Sequence, residues 1–352
     1  GGRTGMGQTL AGVRNRTLRF VFGGLLGLYR VANRRKPIAE PSVELRALGD
    51  VLSLLSSGPP KRDTRKIREL FHLFYTLGVF RRWNDWVSPR MVTYGGVHCE
   101  HFTHHSLKAA KGTLIYLHGG GYTSGTMYAY RGWCNQLSLK CNCNVVLVDY
   151  TLVPKGSLRE GLRDIVAVYT QLSEDAAAGN IVVAGDSAGG GYALGLLQQV
   201  TALKLRKPAA AVLLSPWADL TLGVGPHDSM NEHNSDIFFP HRVAFESLVD
   251  GALEVADGRD AAHPENSFLF GSFEGLPPLF ITVGEPERLL DDSVRIIQKA
   301  EEAKVEVEYE ILKYGAHDYP ILGYSLQIPE FVESTNRVYA FVCRHLNGSS
   351  RL

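Results

Sequence analysis

The chain has 352 residues, 45% hydrophobic and 21% charged, with a formal net charge of +1. Such a composition is globular, supplies ample material for a core, and fits one large α/β domain or two ordinary ones. The near-zero charge leaves nothing global that argues for nucleic acid as a partner. Five cysteines, at positions 99, 134, 141, 143 and 343, are odd in number and scattered in spacing. They argue against a disulfide framework and for the reduced thiols of an intracellular, cytoplasmic protein. Between Gly1 and Ala39 there is no acidic residue, while Arg3, Arg14, Arg16, Arg19, Arg30, Arg34, Arg35 and Lys36 are basic. The apolar run from Phe20 to Tyr29 inside this segment is too short to span a bilayer. Three readings of it stand: part of a helical lid, which we favour, an amphipathic segment touching a membrane surface, or the remnant of an organelle-targeting peptide. Asn15-Arg16-Thr17 and Asn347-Gly348-Ser349 match the glycosylation pattern, at no more than chance frequency.

Two helices are expected next. Over 42–56, Val43, Leu45, Leu48, Val51, Leu52 and Leu55 recur at helical spacing, and the Gly-Pro-Pro at 58–60 stops the run. Over 62–80, Ile67, Leu70, Phe71, Phe74 and Leu77 share one face. From Met91 the period changes to alternation, which predicts strands, and 112–122 reads as a buried strand running into glycines. His98, Cys99, His101, His104 and His105 cluster here, yet alternation splits them between two faces and none has zinc spacing. A half-exposed hairpin is the better reading, and no metal is expected. Buried strands follow at 143–150, 181–184 and 209–215, with helices at 157–173 and from the 185–189 corner to about 203. Residues 218–275 break the rhythm with polar, glycine-rich sequence around one expected helix, 240–253. The sheet resumes at 279–283, followed by a helix at 291–303, a strand at 305–312 and a last helix at 329–346. Apolar strands alternating with helices predict a mainly parallel sheet covered on both faces.

Chemistry concentrates at three places. Gly185-Asp186-Ser187-Ala188-Gly189 is a G-x-S-x-G corner between a strand and a helix, and its glycines permit the sharp turn that lifts a serine hydroxyl above the sheet. His118-Gly119-Gly120-Gly121-Tyr122 puts three glycines after a strand, so that backbone N–H groups are exposed as an oxyanion hole requires. A phosphate-cradling loop is the competing reading, weakened because neither a Lys-Ser/Thr pair nor G-x-G-x-x-G spacing is present. A serine needs a base, itself oriented by an acid. His317, on the loop after the 305–312 strand, is the expected base. The acid is sought among Glu285, Glu287, Asp291 and Asp292. Glu287 is preferred because it sits in the loop at the carboxyl end of its strand, with Asp291 second.

Four blocks in order, HGGGY at 118–122, DYTLVP at 149–154, GDSAGG at 185–190 and LSPWADLT at 214–221, resemble the hormone-sensitive lipase-like carboxylesterases of the α/β-hydrolase fold. Two weaker blocks, GEPERLLDD at 284–292 and YGAHDY at 314–319, extend the likeness across roughly 95–350. The resemblance implies Ser187 as nucleophile, Glu287 as acid and His317 as base, with the N–H groups of Gly120, Gly121 and Ala188 as the oxyanion hole. Tyr122, Asp186 and Trp217, which flank these motifs, are expected at the substrate. Two departures stand out. The acid is more often Asp in this family, and KGSLREG replaces the usual acidic, proline-rich continuation after Pro154. On this reading 1–90 is an N-terminal helical cap segment, 91–217 and 276–352 are the two parts of the core, and 218–275 is a cap insertion. The expected activity is hydrolysis of short to medium acyl esters of a small molecule, without a cofactor. Rival expectations are the same triad working on a lactone, amide or thioester, or a non-catalytic ligand receptor on this scaffold. The family often dimerises, so a homodimer is a further expectation, although no stretch identifies its interface.

Overall fold

Residue alternation dictates how the middle of this molecule is layered. In strand β3 (Gly112–Leu117), Leu114 and Tyr116 point to one side while Ile115 and Leu117 point to the other, and all four are fully buried. A strand buried on both faces has no polar side to give water, which is why it reads as a continuous apolar run. The computed structural model describes residues 89–347 apart from 108, 224, 234, 240 and 256–259. The helices expected at 42–56 and 62–80, the basic stretch before them and the Asn347-Gly348-Ser349 sequence lie wholly or partly outside the described residues.

Seven further strands join β3: β1 (Arg90–Tyr94), β2 (Val97–Phe102), β4 (Asn144–Val148), β5 (Asn180–Asp186), β6 (Ala210–Leu214), β7 (Leu279–Gly284) and β8 (Val307–Leu312). They form one sheet in the order β1-β2-β4-β3-β5-β6-β7-β8. The first two are an antiparallel hairpin turning at Gly95-Gly96, both at positive φ, and β3 to β8 are mutually parallel. The half-exposed hairpin therefore holds. His98 and Cys99 alternate along β2, His104 and His105 lie beyond its end, and no group of three or more His, Cys, Asp or Glu among the described residues is placed to hold a metal ion.

Helices cover both faces, as the pattern predicts. Helices α2 (Leu158–Glu174), α3 (Ala188–Ala202) and α6 (Leu290–Glu302) pack on the side of Ile115, Val146, Val183 and Ile281. Helices α1 (Met127–Cys141), α7 (Tyr319–Leu326) and α8 (Pro329–Leu346) pack on the side of Leu114, Val145, Val182 and Phe280. Helix α2 begins with a full capping box, Ser157 and Glu160 satisfying each other's backbone N–H groups, so the KGSLREG departure supplies a good helix start. The 218–275 region carries a four-residue turn of helix, α4 (Ser229–Glu232), and α5 (Val243–Leu253). Sequence periodicity missed α1 and α7. Both bury residues most of the way round, which removes the apolar stripe that marks an amphipathic helix. All five cysteines are unpaired, and no described helix is long and apolar enough to cross a membrane.

The order β4-β3-β5 places the site. The chain leaves β3 toward β4 on one side, then returns across β3 to enter β5 on the other. A crevice opens beyond the carboxyl ends where that direction reverses. The glycine loop follows β3, and the serine corner follows β5.

Candidate active site

Ser187 sits between β5 and α3 at φ 53°, ψ −120°, a conformation side chains rarely adopt. The end of β6 and the loop after it hold it there: Ser187 N donates to Leu214 O at 2.8 Å, and Ser187 O accepts from Trp217 N at 2.9 Å. The flanking glycines are sterically required. A Cβ on Gly185 would lie 2.3 Å from Gly189 O, and one on Gly189 would lie 2.1 Å from Leu117 O. Both obstacles are backbone and cannot swing away. Gly189→Ala is expected to cost about 3 kcal/mol of stability or more, seen as a lowered Tm or loss of soluble protein; an unchanged Tm would contradict this account of the corner.

The glycine loop is aimed by its carbonyls. Gly120 O accepts from Thr123 N at 3.2 Å, Ser124 N at 3.0 Å and Ser124 Oγ at 2.8 Å. Because a trans peptide is planar, fixing this carbonyl fixes the Gly121 N–H in the opposite direction. His118 Nδ1 lies 2.8 Å from Gly119 O, which constrains the Gly120 N–H in the same way. His118 is stacked on Tyr150, with ring centroids 4.5 Å apart, and burial pulls its imidazole pKa down, so it serves here as a neutral brace. The Gly119 N–H is already spent, donating to Asp186 Oδ2 at 3.1 Å. Those of Gly120, Gly121 and Ala188 have no acceptor among the described residues.

His317 and Glu287 meet from the loops that follow β8 and β7. Glu287 Oε2 lies 2.7 Å from His317 Nδ1, and the two side chains are 1% and 7% exposed. Glu287 Oε1 accepts from Ser215 Oγ at 2.8 Å and from the Gly284 N–H. Burial raises the Glu287 carboxyl above its ordinary pKa, and the bond to His317 opposes that rise. Asp291, the second candidate acid, faces elsewhere: its oxygens accept from His227 N at 3.0 Å and Ser229 N at 2.8 Å, pinning the start of α4. Nε2 of His317 lies 3.3 Å from Asp318 Oδ2, and no hydrogen bond joins it to Ser187 Oγ. Catalytic contacts are often loose before substrate arrives.

The three residues expected at the substrate each make buried hydrogen bonds to the scaffold. Asp186 accepts from Tyr116 OH at 2.8 Å, Tyr130 OH at 2.7 Å and Gly119 N, so it braces the glycine loop. Tyr122 OH donates to Trp217 O at 2.6 Å, and Trp217 Nε1 donates to Asp219 O at 3.0 Å. A motif reveals which residues accompany the chemistry; it does not separate those that touch substrate from those that hold the loops. Residues of the 218–275 stretch, singled out by no motif, approach the site. Phe239 stands edge-on to His317 with centroids 5.0 Å apart, and a Cβ on Gly121 would lie 2.7 Å from Leu248 Cδ1. Ser215 was also missed as an individual. Its hydroxyl donates to Glu287 and accepts from Asp318 N at 3.1 Å, linking the acid and base loops. Its place in the LSPW block beside the elbow strand was the available signal.

Residues 114–321 match the family model described as the α/β-hydrolase fold. The chain is 36% identical over 205 residues to an acetyl-hydrolase of Streptomyces hygroscopicus, a stretch covering 56% of this chain and 64% of that protein. It is 30% identical to an esterase of Acinetobacter venetianus, covering 65% and 73% of the two chains. Among solved structures, an esterase from the bacterial hormone-sensitive lipase family aligns with a TM-score of 0.75 at 26% identity, covering 87% of this chain and 99% of that one. EstE5 soaked with p-nitrophenyl butyrate aligns with the same score at 28% identity, covering 86% and 98%.

Proposed function

Since the chain belongs to the α/β-hydrolase fold family, in its hormone-sensitive lipase-like carboxylesterase branch, we propose that it hydrolyses carboxylic esters by an acyl-enzyme route with Ser187 as nucleophile. The carrying observation is the Glu287–His317 contact of 2.7 Å at the carboxyl ends of the strands, beside a serine held on a strained, glycine-flanked corner. Ser187 Oγ attacks the acyl carbon as His317 Nε2 takes its proton. The N–H groups of Gly120, Gly121 and Ala188 stabilise the resulting oxyanion. Each such donor is worth about 3 kcal/mol in the transition state. The imidazolium, oriented through Nδ1 by Glu287, protonates the departing alcohol. Water then attacks the acyl-enzyme with His317 again as base, releasing the acid and restoring the hydroxyl.

The 218–275 stretch, which we read as a cap insertion, supports a preference for short to medium acyl chains. Leu248 and Phe239 bring apolar bulk against the oxyanion loop and the base, and that bulk is what we read as limiting the acyl tail. Butyrate is expected to be cleaved at least about tenfold faster than palmitate, as kcat/KM on p-nitrophenyl esters. Leu248→Ala should move the optimum to longer chains by removing bulk beside Gly121. Equal turnover of butyrate and palmitate by the wild type would overturn the preference.

A further inference from the structure

The loop that carries His317 places a second buried carboxyl against the other side of its ring. Asp318 follows at φ 56°, which turns its side chain back under the imidazole, and Oδ2 comes to rest 3.3 Å from Nε2. Nε2 is the atom that must be bare to take the serine's proton. Asp318 Oδ1 is buried and accepts from no donor. The carboxyl of Asp186 lies within hydrogen-bonding reach of the same side chain. Two carboxylates that close do not both ionise, and the proton stays on the one with fewer donors. Asp186 has three donors, Tyr116 OH, Tyr130 OH and Gly119 N, so whenever the two carboxyls share one proton it sits on Asp318.

From this geometry, and resting on the serine-hydrolase reading above, we propose that Asp318 is a positioning residue that sets whether His317 is free to act as base. Asp318 and His317 titrate as a coupled pair with both forms populated along the acid limb: with its proton shared toward Asp186, Asp318 is neutral and Nε2 is released for Ser187. Once Asp318 ionises, its Oδ2 captures the Nε2–H and holds His317 as an imidazolium that accepts no proton. Other titratable groups face this pair. Glu287 stands at Nδ1, Asp236 approaches from the 218–275 stretch, and Tyr116 and the Cys134 thiol lie beyond Asp186 on β3 and α1. Burial alone lowers the His317 pKa, but Asp318, then Glu287 and Asp236, outweigh it and bring it up to about 10. Burial first, then Asp186 and Glu287, lift the Asp318 carboxyl well above the usual range, against the pull of His317. Burial brings Asp186 to about 6.

The test is the acid limb of the kcat/KM–pH profile in two variants with opposite expected shifts. Asp318→Asn is a permanently neutral neighbour, so His317 should lose its proton more readily and the limb should move down by about one pH unit. Asp186→Asn removes the carboxylate that holds the proton on Asp318, so Asp318 ionises sooner, His317 keeps its proton longer, and the limb should move up. Residues that only supported the loops would lower activity without moving the midpoint. Limbs that stay in place, or move in the same direction, overturn the proposal. The His317 imidazole titration, followed by NMR in a Ser187→Ala background with and without Asp318→Asn, needs no turnover. It therefore reads the link even if the esterase reading itself fails, which loss of all ester hydrolysis in the wild type would reveal separately. If Asp318→Asn does not yield folded protein, Asp186→Asn decides the question, and an ordinary His317 midpoint near 6.5 in the Ser187→Ala protein is the overturning result.

Discussion

Ser187→Ala is expected to lower kcat for p-nitrophenyl butyrate by roughly 10^5-fold to 10^6-fold, with KM little changed. The size follows from what the hydroxyl does in the proposed route. It is the atom that bonds to the acyl carbon, and without it the oxyanion donors and a neighbouring imidazole can assist only a direct attack by water. That residual catalysis is small because a free water molecule lacks the fixed position of Oγ. The elbow should survive the change. Its shape is set by the flanking glycines and by the bonds from Ser187 N and O to the end of β6 and the loop after it, all of which are backbone. An unchanged Tm with activity lost, and loss of labelling by a fluorophosphonate, would together support the nucleophile. A variant retaining a tenth of wild-type turnover would rule it out.

Glu287→Gln is expected to cost about 10^4-fold in kcat, and the wiring of the carboxylate explains why so small a change matters. Oε1 receives two donors, Ser215 Oγ–H and the Gly284 N–H, while Oε2 faces His317 Nδ1. A glutamine has one oxygen, and the two donors claim it. Its NH2 group then faces Nδ1, which must accept, and the imidazole is left with its hydrogen on Nε2. In that tautomer it takes no proton from Ser187. Removing the negative charge also lowers the His317 pKa, so residual activity should persist to lower pH than in the wild type. Asp291→Asn is the matched control. Because Asp291 pins the start of α4, its loss should loosen the 218–275 stretch and leave the tautomer intact. If Asp291→Asn proved the more damaging of the two, the acid would have to be reassigned.

Much of this was legible in the residues, for reasons that differ from place to place. Strands such as Leu114–Leu117 are recognisable because burial on both faces leaves no room for polar side chains. The elbow is recognisable because backbone crowding admits only glycine at 185 and 189. Glu287 was separable from Asp291 by position alone, one in the strand-end loop and the other inside the following helix. What stayed hidden were relations across distant segments. Nothing in a motif says that Asp186 answers to Tyr116, Tyr130 and Gly119, or that Asp318 folds back under its own neighbour. Phe239 and Leu248 carry no signature, since their importance comes from where α5 and the turn before it come to rest. Helix α1 escaped because a helix buried on most sides has no face that repeats.

The guanidinium of Arg288 joins two parts of the molecule usually thought of separately. It is 2% exposed; Nε donates to Phe239 O at 2.7 Å, a second nitrogen donates to Met230 O, and its backbone N–H donates to Asp236 Oδ2 at 3.0 Å. Arg288 is the next residue in the chain after Glu287. On the reading proposed above, the roof over the ester and the group that steers the base are riveted to one another, and swinging the roof outward would tug on the acid. Gatekeeping and chemistry would then share one hinge: a pocket forced open, by heat or by an oversized guest, should be a pocket with its triad out of tune.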